Sequence, residues 1–133
     1  MKQRICIGLT ALLCLFGLFG CAQKENAMEQ TYEQISAQEA KAIMDKETDY
    51  VIIDARTEEE FAAGHIANAI LIPEYEIAAR AEAELPHKDA LILVYCRSGR
   101  RSKIASSELV KLGYTNVKEF GGIIDWPYET TTE

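Results

Sequence analysis

Cys96 closes an apolar run, Leu91-Ile92-Leu93-Val94-Tyr95, and three arginines lie within the next five residues of Cys96-Arg97-Ser98-Gly99-Arg100-Arg101-Ser102. A cysteine attacks as its thiolate, and an ordinary pKa of about 8.5 leaves little of that form at neutral pH. Two features of this stretch lower that value. A helix-like segment follows the loop, and unpaired N–H groups at a helix start favour negative charge. Gly99 can take a positive φ, which turns successive N–H groups inward around one anion. The arginines add positive charge. Water screens exposed guanidinium groups, so the amide donors are expected to outweigh them. A downward shift of about two units favours the thiolate by roughly 2.7 kcal/mol. The candidate nucleophile is therefore Cys96. Arg97, Ser98, Gly99, Arg100, Arg101 and Ser102 form a candidate cradle for a small anion. A working nucleophile must also be reachable, so this reading requires a sulfur open to solvent. The plain alternative is a buried strand-end cysteine with arginines decorating a helix start. Unpaired arginines there oppose the helix dipole, which leaves Arg100 and Arg101 without a reason.

The elements that must position this loop are legible from periodicity. Tyr32 to Ile35 reads as a short edge strand. Ser36 with Glu39 is a capping-box pattern, and Ala40, Ile43 and Met44 give the apolar face of a helix ending near Lys46. Tyr50 to Ile53 is a short β-branched run that suits a buried strand. Thr57 with Glu60 offers a second capping box, for a helix through Ala63 that Gly64 stops. Ala69 to Ile72 reads as a strand ended by Pro73, and Glu74 to Leu85 as a helix. Leu91 to Tyr95 is the clearest strand. Arg101 to Leu112 reads as a helix with Ile104, Leu109 and Leu112 among its buried candidates. Val117 to Phe120 is a last strand, and Gly121-Gly122 turns into a short helix containing Trp126. Strands alternating with helices predict an α/β fold, a mostly parallel five-stranded sheet with helices on both faces. Ligands in such folds bind at the carboxyl ends of strands, where Cys96 lies.

Residues 1–20 read as an export signal. Lys2 and Arg4 supply positive charge, and Ile5 to Phe19 is almost wholly apolar. That run is short for a spanning helix, which needs about 20 residues. Leu18-Phe19-Gly20-Cys21 resembles a bacterial lipobox, which implies lipidation of Cys21 and an exported, membrane-anchored lipoprotein in the cell envelope. Residues 21–31 are polar and aperiodic, a tether, and residues 32–133 form one domain. Cys6 and Cys14 leave with the signal, so Cys96 is the one free thiol expected in the mature protein. Loss of Lys2 and Arg4 takes the net charge from −7 to −9. An acidic surface argues against nucleic acid as a partner. A monomer touching the membrane by its lipid alone is expected.

At the level of motifs the chain resembles the rhodanese-like sulfurtransferases. Cys96 to Ser102 is similar to their active-site loop. Asp54-Ala55-Arg56, followed by Glu60 to Ala69, resembles the first motif of that family. Leu112 to Val117 and Gly121 to Trp126 resemble its closing segments. The resemblance implies that the Cys96 thiolate attacks the outer sulfur of a small anionic donor such as thiosulfate. A Cys96 persulfide forms and sulfite leaves. Cyanide, a small thiol or a protein thiol such as that of a thioredoxin-like protein then takes the sulfur. No cofactor is implied. Four residues separate Cys96 from Arg101, whereas related phosphatases have a longer loop that wraps phosphate. The short loop disfavours phosphatase or arsenate-reductase-like chemistry. A persulfide carrier, or a docking module for a thiol redox partner, is the alternative to an enzyme.

The remaining polar residues carry blander readings. Asp54 and Arg56 are supporting residues that pin loops by hydrogen bonds and an ion pair. His65 follows a turn glycine and suits packing better than base catalysis, since a thiolate already formed needs no base. His87 belongs to a surface loop, Trp126 to the core, and Glu58-Glu59-Glu60 to a solvated helix start. Two histidines and one thiol, widely spaced, make no metal site.

Overall fold

A computed structural model describes residues 31–133. The export signal, the lipobox with Cys21 and the tether up to residue 30 lie outside the described residues. Among the described residues, five strands form one parallel sheet: β1 (Glu33–Gln34), β2 (Val51–Asp54), β3 (Ala69–Leu71), β4 (Ile92–Cys96) and β5 (Val117–Gly122). Their order across the sheet is β1-β5-β4-β2-β3. Four helices accompany them: α1 (Ala37–Lys46), α2 (Glu58–Ala63), α3 (Ile77–Glu84) and α4 (Arg100–Lys111).

Strand β4 is central, and all five of its residues are buried. Side chains alternate across a strand, so its two faces feed two cores. Ile92, Val94 and Cys96 pack with Ile77 and Ala81 of α3 and Ala105 and Leu109 of α4. Leu93 and Tyr95 pack with Ala40 of α1, Phe120 and Trp126 on the other face. Each fully buried aliphatic side chain contributes about 1.5–3 kcal/mol. This parity also aims Cys96 at the face that α4 covers.

Both capping boxes form. The Ser36 and Thr57 side chains accept from the Glu39 and Glu60 amides, and each Glu returns to the cap residue's N–H. Most boundaries lie within a residue or two of the sequence reading, and the larger differences are these. Strand β4 includes Cys96, which pairs with Gly122 after a register irregularity, so β5 runs two residues past Phe120. The helix expected from Glu74 splits into a 3-10 turn (Glu74–Glu76) and α3, because no side chain caps its start and Glu76 departs from helical ψ. The last helix is a single 3-10 turn (Ile123–Asp125) that Trp126 follows.

Ile104 corrects a core assignment, being 40% exposed. The buried stripe of α4 is Ser102, Ala105, Ser106 and Leu109. Its phase is set by Ser102 facing Cys96, which places Ile104 about 150° from the centre of the stripe. Leu112 packs at the core's edge.

Candidate active site

The chain turns sharply between β4 and α4. Gly99 takes φ +103° and stands at the N-cap of α4, with no capping side chain. That turn directs the Gly99 amide at Cys96, N to Sγ 3.0 Å. The Ser102 Oγ lies 3.3 Å from the sulfur on its other side. Burial alone pushes the Cys96 thiol up. Hydrogen bonds from the Ser102 hydroxyl and from the amides of Ser102, Gly99 and Ser98 outweigh it and hold the thiol below its ordinary value. Of these amides, Gly99 makes the clear hydrogen bond to the sulfur. The Arg101 guanidinium interacts with the charge on the sulfur, a lesser effect than these donors. Hydrogen-bond donors outweigh the arginine charges, as the sequence suggested, but the Ser102 hydroxyl leads and the amides follow it.

Accessibility does not agree. Cys96 is 1% exposed, where the sequence reading requires an open sulfur. The reason is the cradle itself. A loop tight enough to aim amides at one sulfur also covers it.

The arginines separate into two kinds. Arg97 and Arg100 are exposed and form no ion pair among the described residues. Arg101 reaches back to Glu60 of α2 in a bidentate pair, Nη1 to Oε2 2.6 Å and Nη2 to Oε1 2.8 Å. This pair, more than the Thr57 cap, holds the Glu60 carboxyl down at about 2. Its cation is balanced, so Arg101 is not the free anion-holding group that the sequence suggested. Glu60 is likewise not merely solvated. One signal for this was available: a capping-box Glu in the first motif and an Arg just past the cysteine are the two helix starts at one end of the sheet.

Asp54 and Arg56 take the supporting place expected of them. Asp54 is fully buried and Arg56 is 5% exposed. Arg56 donates to Asp54 from Nε (3.0 Å) and Nη2 (2.7 Å), and from Nη2 to the Gly64 carbonyl (2.7 Å). Tyr95 donates its hydroxyl to Asp54 Oδ2 at 2.6 Å and accepts from the Ile66 amide at 3.0 Å. Together they tie β2 and β4 to the segment after α2. His65 stacks on Phe61 with ring centroids 3.7 Å apart, and its ring nitrogens meet backbone oxygens of Phe61 and Glu133. That is a packing role.

Two residues escaped the sequence reading. Gly122 lies against the loop: a Cβ there would stand 2.0 Å from the Arg97 carbonyl oxygen. Glu119 of β5, 3% exposed, meets Ser102 Oγ at 2.6 Å. A charged residue inside a strand next to the Gly-Gly pair was the available signal. Among the described residues, no cluster of His, Cys, Asp and Glu suits a metal ion. No helix among them is long and apolar enough to cross a membrane.

A parallel five-stranded sheet with a thiol cradled between a strand end and a helix start defines an α/β protein with a candidate nucleophile at the carboxyl end of its central strand. The rhodanese-like domain family matches residues 36–127, and the chain belongs to that family. It is 38% identical over 73 residues to the thiosulfate sulfurtransferase PspE of Escherichia coli, a match covering 55% of this chain and 70% of the relative. It is 42% identical over 79 residues to a sulfurtransferase of Allochromatium vinosum, covering 59% and 72% respectively. The structure of a rhodanese with anions from E. coli superposes with a TM-score of 0.59 and 33% identity over 63% of this chain and 99% of that one.

Proposed function

We propose that this protein moves sulfane sulfur through a persulfide on Cys96, from a small anionic donor such as thiosulfate to a thiophilic acceptor. The observation that carries the reading is the Gly99 amide 3.0 Å from a sulfur whose pKa its hydrogen bonds depress. The thiolate attacks the outer sulfur of thiosulfate, the S–S bond of the donor breaks, and sulfite leaves with the electron pair. The cradle amides then stabilise the persulfide anion. Arg97 and Arg100 draw the donor to the loop. Arg101 with Glu60 fixes the start of α4 against α2. Cyanide, a small thiol or the thiol of a thioredoxin-like protein takes the sulfur and restores the thiolate. The kinship with thiosulfate and other sulfurtransferases supports this choice of chemistry.

The test is thiocyanate formation from thiosulfate and cyanide, with the Cys96→Ser variant beside the parent. Turnover lost in a variant that keeps its circular dichroism and melting behaviour is the expected result. Turnover retained in that variant refutes the reading.

The burial of Cys96 favours a second reading, a carrier whose loop opens only when a redox partner docks. Intact mass after thiosulfate separates the two. A sulfur that loads but does not pass to small acceptors indicates the carrier. The lipobox motif supports placing the domain on a membrane in the cell envelope, held by a lipid on Cys21 at the end of the 21–31 tether. The intact mass of the mature protein then carries a lipid on Cys21, and a mature protein without that added mass contradicts the anchor.

A further inference from the structure

Glu119 is a buried carboxylate for which the sulfur-transfer scheme has no task. It is 3% exposed and has no cationic partner among the described residues. Burying a carboxylate without a counterion is costly, and such a group needs strong donors or a proton. Its Oε1 accepts the Gly121 amide at 2.8 Å and lies 2.6 Å from Ser102 Oγ. Ser102 Oγ in turn lies 3.3 Å from Cys96 Sγ. The three groups form a chain: thiol, hydroxyl, carboxylate.

A serine hydroxyl has one hydrogen. Ser102 Oγ stands within bonding distance of Cys96 Sγ, Glu119 Oε1, the Gly99 carbonyl at 3.0 Å and the Gly121 carbonyl at 3.4 Å. The Glu119 contact is the shortest, in the range of about 2.5–2.7 Å seen for a hydroxyl on a carboxylate. If Ser102 gives its hydrogen to a charged Glu119, its lone pairs accept the S–H of a neutral Cys96. If Ser102 gives its hydrogen to a Cys96 thiolate, two oxygen acceptors face each other at 2.6 Å unless Glu119 carries a proton. Each arrangement pairs the sulfur, the hydroxyl and Glu119 Oε1, and they differ by one proton moved along the chain.

We propose that Glu119, acting through Ser102, stores the proton that Cys96 gives up, so that one proton is shared along the chain of thiol, hydroxyl and carboxylate. In the exchange the S–H bond breaks as a new Ser102 O–H bond forms, and the old O–H bond breaks as the Glu119 Oε1–H bond forms. The negative charge passes from carboxylate to sulfur, and nothing is oxidised. Glu119 is a positioning residue, since it touches the sulfur only through Ser102. The proposal rests on Cys96 being the working thiol.

The other charged and titratable groups around Glu119 do not substitute for this pair. From β4 the group facing it is Cys96. On α4, Arg101 is engaged by Glu60, and Arg100 and Lys103 are exposed. Arg97 in the loop is exposed as well. Lys118 lies on the opposite side of β5 and pairs with Glu33 of β1. Tyr32, just before β1, packs against the core on this face.

The experiment is the pH dependence of Cys96 alkylation by iodoacetamide, followed by intact mass on the full chain. In the parent protein the rate rises in two steps separated by a plateau, as a coupled pair requires. Glu119→Gln keeps an oxygen acceptor for Ser102 and Gly121 but cannot hold the proton. Its profile becomes a single step, rising about tenfold per pH unit below one midpoint. Ser102→Ala, which cuts the chain, also gives a single step. A single step in the parent, or a Glu119→Gln profile that overlays a two-step parent, overturns the proposal. If Glu119→Gln does not fold, the parent and Ser102→Ala decide: two identical profiles overturn it as well. Thiocyanate formation is measured alongside. Parent turnover with a single-step profile sinks the proton store alone, whereas turnover retained in Cys96→Ser sinks the sulfur-transfer reading.

Discussion

Replacing Gly122 by alanine is the sharpest perturbation of the cradle that leaves its chemistry untouched. Gly122 pairs with Cys96 across β4 and β5. A Cβ there would stand 2.0 Å from the Arg97 carbonyl oxygen, 2.4 Å from the Arg97 carbonyl carbon and 2.6 Å from the Ser98 Cα. Carbon and carbonyl oxygen settle at about 3.3 Å or more, so the loop must retreat by roughly an ångström. All three obstacles are backbone atoms, and no rotamer change relieves them. Overpacking of this kind costs about 1–3 kcal/mol. In a domain of this size the middle of that range lowers Tm by about 10 °C. A displacement of about 1 Å at a reacting group costs roughly 100-fold in rate. The assay is thiocyanate formation under saturating cyanide, with thermal melting on the same samples. Gly121→Ala is the control. Gly121 sits at φ +87° with nothing within 4 Å of the added carbon, so it incurs left-handed strain of about 1–2 kcal/mol and leaves the loop in place. We expect Gly122→Ala to lose about 100-fold in turnover while Gly121→Ala stays within a few-fold of the parent. Parental rate and Tm in Gly122→Ala refute the idea that this close approach sets the cradle.

Tyr95→Phe removes a hydroxyl that serves Asp54 and the Ile66 amide. Leaving these buried groups short of partners costs about 1–3 kcal/mol in urea unfolding, with turnover nearly unchanged at temperatures where the variant is folded. The Glu60 carboxyl, ordinarily near 4.5, sits at about 2 when folded. Its contribution is therefore full above about pH 4.5 and lost as pH falls toward 2. Acid unfolding of Glu60→Gln should differ from the parent in that window and run parallel to it above, by less than about 1 kcal/mol because the pair is partly exposed. Arg97→Ala and Arg100→Ala should each raise KM for thiosulfate about two- to fivefold with kcat held. That effect should vanish in about 1 M salt, where the Debye length is about 3 Å. Arg101→Ala should instead lower Tm, since it strands Glu60. A KM effect in Arg101→Ala larger than in Arg97→Ala would reverse this assignment.

Local patterns in the sequence determined a great deal. The two capping boxes, the β-branched run from Tyr50 to Ile53 and the apolar run from Leu91 to Tyr95 depend on neighbours a few residues apart, and all formed within a residue of where the spacing put them. The alternation of these elements determined the parallel sheet, because a strand followed by a helix returns to its sheet in one hand. The thiol, the glycine that turns amides toward it and the loop length were likewise legible. Tertiary structure decided what depends on packing between distant segments. Burial of Cys96 to 1% follows from the cradle loop folding over it between β4 and α4. The capture of Arg101 by Glu60 spans 41 residues, and no local rule selects one arginine of three for it. Gly122 matters because the irregularity at the end of β4 sets it opposite Cys96, and Glu119 because its pairing with Val94 puts it on the face that carries Cys96. Ile104 faced outward because the contact of Ser102 with Cys96 fixed the rotation of α4. Spacing along a chain fixes which elements form; contacts across the sheet fix their phase and charge balance, and those exist only once the elements have packed.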